Sequence, residues 1–264
     1  YALAINHSGV IRATGAVEKG GRVLLSAQGG INRVSGDIHA AGTAQQAPTV
    51  NIIATDRTEF DGTIEAPGQG EVHISGLESL HFNGTVDSQG GRLVLDPNNV
   101  EITSGAATLA GASTLSAASV TAALVNNHVV IHTSGSDGED GDLRVSEAVD
   151  YASANSLSLL AHRHVEINAE VQNDGSGDVN VVAGWDGLTG VAAGAATPLH
   201  NQALDVAALD ADSDSYGNGG GRIAVGDGTQ TAGIALGSRD GDTQLFAEQI
   251  DVRAGAGSSD FAQI

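Results

Sequence analysis

An all-β fold, specifically a right-handed parallel β-helix (β-solenoid) of about 22 residues per coil, is what this sequence predicts. Three observations carry the prediction: a glycine-headed phrase written four times, a strand-like phrase repeated between its copies, and a core palette confined to small aliphatic residues. The first runs SGVIRA at 8–13, SGDIHA at 35–40, DGTIEA at 61–66 and NGTVDS at 83–88. Gly9, Gly36, Gly62 and Gly84 head the copies, Ile11, Ile38, Ile64 and Val86 stand two places on, and the next place holds Arg12, His39, Glu65 and Asp87. Chemistry needs one particular group once. A place that takes either sign is architectural, so the aliphatic column is read as core and the charged column as outward decoration.

The four glycines are 27, 26 and 22 residues apart, within the range where repeats mean solenoids or propellers. Between them lie GRVLLSA (21–27), TVNIIAT (49–55), GEVHISG (70–76) and GRLVLDP (91–97). Val23, Val50, Val72 and Leu93 share one register, with Leu25, Ile52, Ile74 and Leu95 two residues on, the period of a strand with one buried face. A third short element precedes each later glycine, as in NRVSG, TEFDG and LHFNG. Each repeat therefore holds about three strands, cornered by Gly, Asn, Asp and Ser, which accept positive φ or cap their own backbone. A propeller blade needs roughly 40–45 residues and four strands, about twice what these repeats offer. Stacking coils of this length over the whole chain predicts about twelve rungs and a rod on the order of 60 Å.

Composition agrees. Aromatic residues are 3% and charged residues 16%, while glycine reaches 37 copies, so Val, Ile, Leu and Ala must build any core. Asp and Glu outnumber Lys and Arg by 32 to 11 and Lys19 is the single lysine, which argues against nucleic acid and anionic lipid as partners. With no cysteine, neither disulfides nor thiolate metal sites can form. The opening YALAINHS has no initiator Met, basic leader or apolar run, so the sequence reads as a piece of a longer, processed protein.

No helix of consequence is expected. The alanine-rich stretch 106–125 is interrupted by Gly111, Ser113, Thr114 and Ser116 and is read as short strands, and 191–214 as a protruding loop carrying one short helix. After residue 125 the strand phrases return, in NHVVIHTSG (127–135), NSLSLLAHRHVEINAEV (155–171), GDVNVVAG (177–184) and GRIAVGD (221–227), with longer and more acidic loops between them. The chain is therefore read as one continuous solenoid over 1–264, with regular coils at 1–125 and decorated coils at 126–264.

With ALAINHSGVIRATG (3–16), GGRVLLSA (20–27), FNGTVDSQGGRLVLDPNNVEI (82–102), YASANSLSLLAHRHVEINAEV (151–171) and VNVVAGWDG (179–187) in view, the chain resembles the filamentous haemagglutinin-like exoproteins of bacterial two-partner secretion. The order of these phrases is more specific than any one of them. The resemblance implies a right-handed parallel β-helix, export from a Gram-negative cell through an outer-membrane β-barrel transporter, and work at the cell surface as a long adhesin or filament. It further implies that the secretion domain lies upstream of Tyr1. Absence of cysteine suits a chain threaded unfolded through an oxidising periplasm, and stacked coils suit folding that propagates from one end.

Candidate sites are few. Asp210, Asp212 and Asp214, with Asn218, have the one-three-five spacing of a calcium loop but carry Ser215 at the sixth place and Gly221 at the twelfth, where such loops need Gly and Glu. They stay a weak Ca²⁺ candidate, as do Asp137, Glu139, Asp140 and Asp142. Two histidine pairs, His128/His132 and His162/His164, share strand faces, and the second could hold a transition metal or haem iron, but no third ligand follows from spacing. Asp37, Asp61, Asp87 and Asp96 recur at corners, as turn formers and not as the close carboxylate pair that acid–base cleavage of a polysaccharide requires. Trp185 is expected to pack over the coil, and Asn98 and Asn99 to stack with asparagines of adjacent coils. The expected function is a non-enzymatic adhesive rod without a required cofactor, whose cell-surface receptor or glycan the sequence leaves open. The alternatives are a polysaccharide-degrading β-helix enzyme and a haem- or metal-capturing exoprotein. The sheet edges at the ends of the stack favour end-to-end self-association.

Overall fold

A computed structural model describes residues 4–14, 21–27, 29–43, 45–134, 140–185, 221–255, 257 and 260–264. Its strands form three faces around one column, and every pair of neighbouring strands runs parallel. The first face is a single eight-stranded sheet, in stacking order β3 (Arg22–Ala27), β6 (Thr49–Ala54), β9 (Glu71–Gly76), β12 (Gly91–Asp96), β15 (Asn127–His132), β18 (Leu157–Ala161), β21 (Val179–Ala183) and β24 (Thr243–Phe246). The second begins with β1 (Ala4–His7), β4 (Ile31–Val34), β7 (Arg57–Phe60) and β10 (Ser79–Phe82). It resumes with β14 (Ser113–Leu115), β13 (Val100–Ile102), β16 (Leu143–Val145), β19 (Val165–Ile167), β22 (Arg222–Val225) and β25 (Gln249–Val252). The third holds β2 (Val10–Thr14), β5 (Asp37–Ala41), β8 (Thr63–Glu65) and β11 (Thr85–Asp87), then β17 (Val149–Tyr151), β20 (Val171–Asn173), β23 (Ile234–Ser238) and β26 (Ala262–Gln263). This is a parallel β-helix.

The aliphatic register read from the sequence is the register of the sheet. Val23 pairs with Val50, Val50 with Val72, Val72 with Leu93 and Leu93 with Val129. Ile52, Ile74, Leu95, Ile131 and Leu159 run beside them with no exposed surface. Each such side chain contributes roughly 1.5–3 kcal/mol by leaving water, which is what holds a chain so poor in aromatics together. Where aromatic residues do enter, Phe60 and Phe82 of the TEFDG and LHFNG elements stack at 5.7 Å between ring centroids.

Two expectations about the stack are corrected. The long sheet has eight rungs among the described residues, not about twelve, so its seven steps of about 4.8 Å span about 34 Å. The coils are unequal: Val50 to Val72 takes 22 residues and Leu93 to Val129 takes 36, while β21 ends at Ala183 and β22 begins only at Arg222; the expected loop with a short helix at 191–214 lies outside the described residues.

The second correction is a helix, α1 (Ala117–Leu124), in the stretch read as strands. Ser116 caps it by accepting a hydrogen bond from the Ser119 amide at 3.0 Å, and the Glu147 carboxylate accepts from the Ala117 amide at 3.2 Å. Ala117, Val120, Ala123 and Leu124 are its buried residues, a spacing of three and four that lays one face on the core. Of the residues that looked like strand punctuation, Ser116 is the cap of this helix, whereas Ser113 and Thr114 do form a short strand, β14. It occupies the third face between β11 and β17, where a strand would otherwise lie.

Candidate functional site

The glycine phrases stack as one column. Ile11 pairs with Ile38, Ile38 with Ile64 and Ile64 with Val86, while Arg12, His39, Glu65 and Asp87 align beside them. The glycines serve close approach and not a left-handed turn, since none of the four has positive φ. A Cβ on Gly36 would lie 2.1 Å from the Gly9 oxygen, one on Gly62 2.3 Å from the Gly36 oxygen and one on Gly84 2.4 Å from the Gly62 oxygen. Nor are the outward charges indifferent to their neighbours. His39 Nδ1 lies 2.7 Å from Glu65 Oε2 in the next coil, and Glu59 takes Arg33 of the preceding coil at 2.8 Å and its own strand's Arg57 at 2.7 Å.

On the outer side of the eight-stranded sheet a second arrangement appears. Leu95 pairs with both Ile74 and Ile131, so one residue further on Asp96 sits beside Ser75 and His132, and His73 shares the same outward face two places back. The Asp96 carboxylate lies between the two imidazoles, with His73 Nε2 3.3 Å from Oδ2 and His132 Nδ1 3.4 Å from Oδ1. All three are largely buried, at 5%, 12% and 12% side-chain exposure for His73, Asp96 and His132. Burial alone would raise the Asp96 carboxyl, but the nearby His132 and His73, with Ser75, hold it below the ordinary carboxylate range. Burial likewise lowers His132, against the pull of Asp96. Trp185, 1% exposed, meets the His132 ring edge-on at 5.5 Å and packs with Val94, Val130, Leu160 and Val182, as its packing role predicts. Two places before His73, burial pushes the Glu71 carboxyl up to about 8, although Arg92 draws it down.

Of the histidines singled out by spacing, only His132 enters this cluster. His128 Nδ1 accepts from the Ser156 amide at 3.0 Å and His164 Nδ1 from the Arg222 amide at 3.2 Å, and the 162/164 pair lies between β18 and β19 and not on a strand. His73 and Asp96 were missed as partners because spacing within one strand cannot reveal them. The signal was present in the strand alignment: GEVHIS, GRLVLD and NHVVIH, set in register, place His73, Asp96 and His132 on one face of three consecutive rungs.

The acidic candidates divide. Asp210, Asp212 and Asp214 lie outside the described residues, as do Asp137 and Glu139. Asp140 and Asp142 both bind Arg163, whose Nε donates to Asp142 Oδ1 at 2.8 Å, while the His164 amide donates to the same oxygen at 3.1 Å. Burial would raise Asp142, but these hydrogen bonds and the guanidinium charge bring it below its usual range. Asp87 accepts from the Gln89 amide at 3.0 Å as a turn former, and Asp61 faces His81 at 3.4 Å. Asn98 accepts from the Ser134 hydroxyl and Asn99 from the Asp142 amide, which ties this corner to serine and backbone in the next coil. The asparagines that do anchor corners are Asn127 and Asn173, both fully buried. A shallow cavity of about 330 Å³ on the second face is lined by Arg144, Arg222 and Arg253 with Thr108, Ser146 and Glu166. There Arg144 pairs with Glu166 at 2.7 Å and Arg222 with Asp251 at 3.2 Å.

What fold and sites define together is a parallel β-helix with a solvent-facing surface of paired charges. The chain matches no protein-family model, no curated protein and no solved structure.

Proposed function

We propose that this chain is a section of a structural, adhesive rod, part of a secreted or surface-held exoprotein of the filamentous haemagglutinin-like kind that mediates cell–surface or cell–cell contact. The observation that carries the reading is the separation of duties in each coil. Columns of Val, Ile and Leu inside fix the stack, and the outward places Arg12, His39, Glu65 and Asp87 hold side chains of either sign, of which His39 and Glu65 pair across neighbouring coils. Repeat proteins of this kind present an extended surface whose outer residues can be chosen for a partner without disturbing the core. The cavity on the second face gathers three of the chain's scarce cations, Arg144 paired with Glu166 and Arg222 and Arg253 sharing Asp251, and an acidic glycan would bind there by competing with those carboxylates. Export through an outer-membrane β-barrel transporter fits a chain without cysteine, and no described helix is long and apolar enough to cross a membrane.

The test is adhesion under flow. Beads coated with the chain are expected to hold to cultured cells or to an acidic glycan surface, and a variant with Arg144, Arg222 and Arg253 replaced by serine to hold less. Absence of retention above bare beads, or turnover of acidic polysaccharide that disappears in Asp87→Asn, would replace the rod with another class of protein.

A further inference from the structure

We propose that His73, Asp96 and His132 form a binding site for one divalent transition-metal ion of the zinc class, which clamps three successive coils together.

Geometry is the first support. Donors held 2.0–2.2 Å from a tetrahedral ion lie roughly 3.3–3.6 Å from one another. The two contacts of Asp96 are 3.3 and 3.4 Å, and one donor atom from each residue falls within 4.8 Å of the others. A hydrogen-bonded imidazole–carboxylate pair is shorter, about 2.7–2.9 Å. This protein makes such a pair on its surface, where His39 and Glu65 meet at 2.7 Å. At the buried cluster both Asp96 contacts are longer than that, one from each carboxylate oxygen, and an inward shift of the three side chains would bring one donor from each onto a common ion.

Satisfaction of buried groups is the second support. Asp96 Oδ1 is a buried carboxylate oxygen with no hydrogen bond among the described residues, a costly state that a cation relieves. The donor chemistry selects the ion. Two imidazoles and one carboxylate are the protein ligands of open zinc sites, and imidazole suits zinc, copper and nickel. Calcium and magnesium prefer carboxylate, carbonyl and water oxygens, and two of the three donors here are imidazole nitrogens. An ion held by three protein donors keeps a further position for water.

The placement gives the ion its consequence. The ligands belong to β9, β12 and β15, and in a solenoid each coil touches only its neighbours. An ion shared by all three couples the first directly to the third. Loss of the ion would loosen that segment without unfolding it.

The experiment uses the whole 264-residue chain without a histidine tag, stripped by chelator and titrated with Zn²⁺ by calorimetry and with Co²⁺ by visible absorption. One ion per chain is expected, with a tetrahedral Co²⁺ spectrum and a rise in melting temperature on loading. His73→Ala, His132→Ala and Asp96→Asn should each weaken binding at least about 100-fold. His128→Ala and His164→Ala should leave it unchanged. Far-UV dichroism reports whether each variant keeps the fold; if one does not, the decision passes to wild-type imidazole resonances, where only His73 and His132 should shift with Zn²⁺. Failure to bind Zn²⁺ tighter than millimolar, or stoichiometric binding that survives His132→Ala and Asp96→Asn, overturns the site and leaves the adhesion test untouched.

Discussion

Gly36 and Gly9 occupy the same place in the repeated phrase, yet alanine should have opposite effects at the two. At Gly36 the new Cβ would sit 2.1 Å from the Gly9 oxygen and 2.7 Å from the Gly9 nitrogen, both rigid backbone atoms, roughly 1 Å inside any tolerable contact. The coils must part by about that distance, which stretches the 2.8 Å bond from the Asp37 amide to the Gly9 oxygen beyond usefulness. The lost bond is worth about 1 kcal/mol and the overpacking about 1–3 kcal/mol. Against this, the stiffer unfolded chain returns about 0.4–1 kcal/mol. The net expectation is a loss of about 2–3 kcal/mol, or about 5–10 °C in melting temperature for a chain of this size. Nothing lies within 4 Å of a Cβ on Gly9 and its φ is not positive, so Gly9→Ala should be neutral or stabilising by about 0.5 kcal/mol. Thermal melts of both variants by circular dichroism decide the matter. If Gly36→Ala melts within about 1 °C of the parent, or Gly9→Ala falls as far as Gly36→Ala, the close-approach argument is wrong.

Three further outcomes are expected. Ile52→Ala removes a side chain with no exposed surface from between Leu25 and Ile74 and should cost about 2–5 kcal/mol, measured by urea unfolding, while Asn51→Ala on the opposite face should cost under about 1 kcal/mol. Asn127→Ala strands the Ser88 amide, bonded at 3.0 Å, and the Val86 carbonyl, bonded at 2.8 Å, and removes one of the donors to the Ala123 carbonyl; a loss of about 2–3 kcal/mol and faster exchange of the Ser88 amide should follow. Asp142→Asn weakens the grip on Arg163, and because that guanidinium is 41% exposed the loss should be modest, about 1–2 kcal/mol at pH 7. A carboxyl lowered in the folded state stabilises above its unfolded pKa and ceases to do so as pH falls through the folded value. The gap between parent and Asp142→Asn should therefore hold from pH 5 to 8 and close below about pH 4, as read in melts across that range.

The stack itself was legible because its determinants repeat: valine meets valine and isoleucine meets isoleucine in the register that the phrases announce, since a one-residue slip would turn every apolar side chain outward. What escaped depends on relations between coils. α1 was hidden because its alanines and serines serve strand corners elsewhere in the chain, and only the Ser116 cap and the buried spacing of Val120 and Leu124 separate the two uses. The rung count was overestimated because length was divided by a short coil, whereas residues 103–126 lengthen one coil and β22 begins only at Arg222 after β21 ends at Ala183. The buried His–Asp–His cluster was illegible within any one strand, as its members are 23 and 36 residues apart in the chain. The role of the glycines was half visible: their recurrence is in the sequence, but that they make room for a carbonyl of the preceding coil, and not for a left-handed turn, is a fact of stacking.

Where α1 stands, the three walls of the helix are not equivalent. The eight-stranded wall passes this level unbroken, the second changes there from β10 to β14 with a serine hydroxyl bonded to the Leu80 amide, and the third gives way to α1 altogether. A pull along the long axis loads the hydrogen bonds between coils in line, so two of three load paths are interrupted at one height and the tension passes to β12 and β15. Stretched end to end, the molecule should part first at that storey, hinging open on its continuous wall and leaving two shorter drums, each still wound.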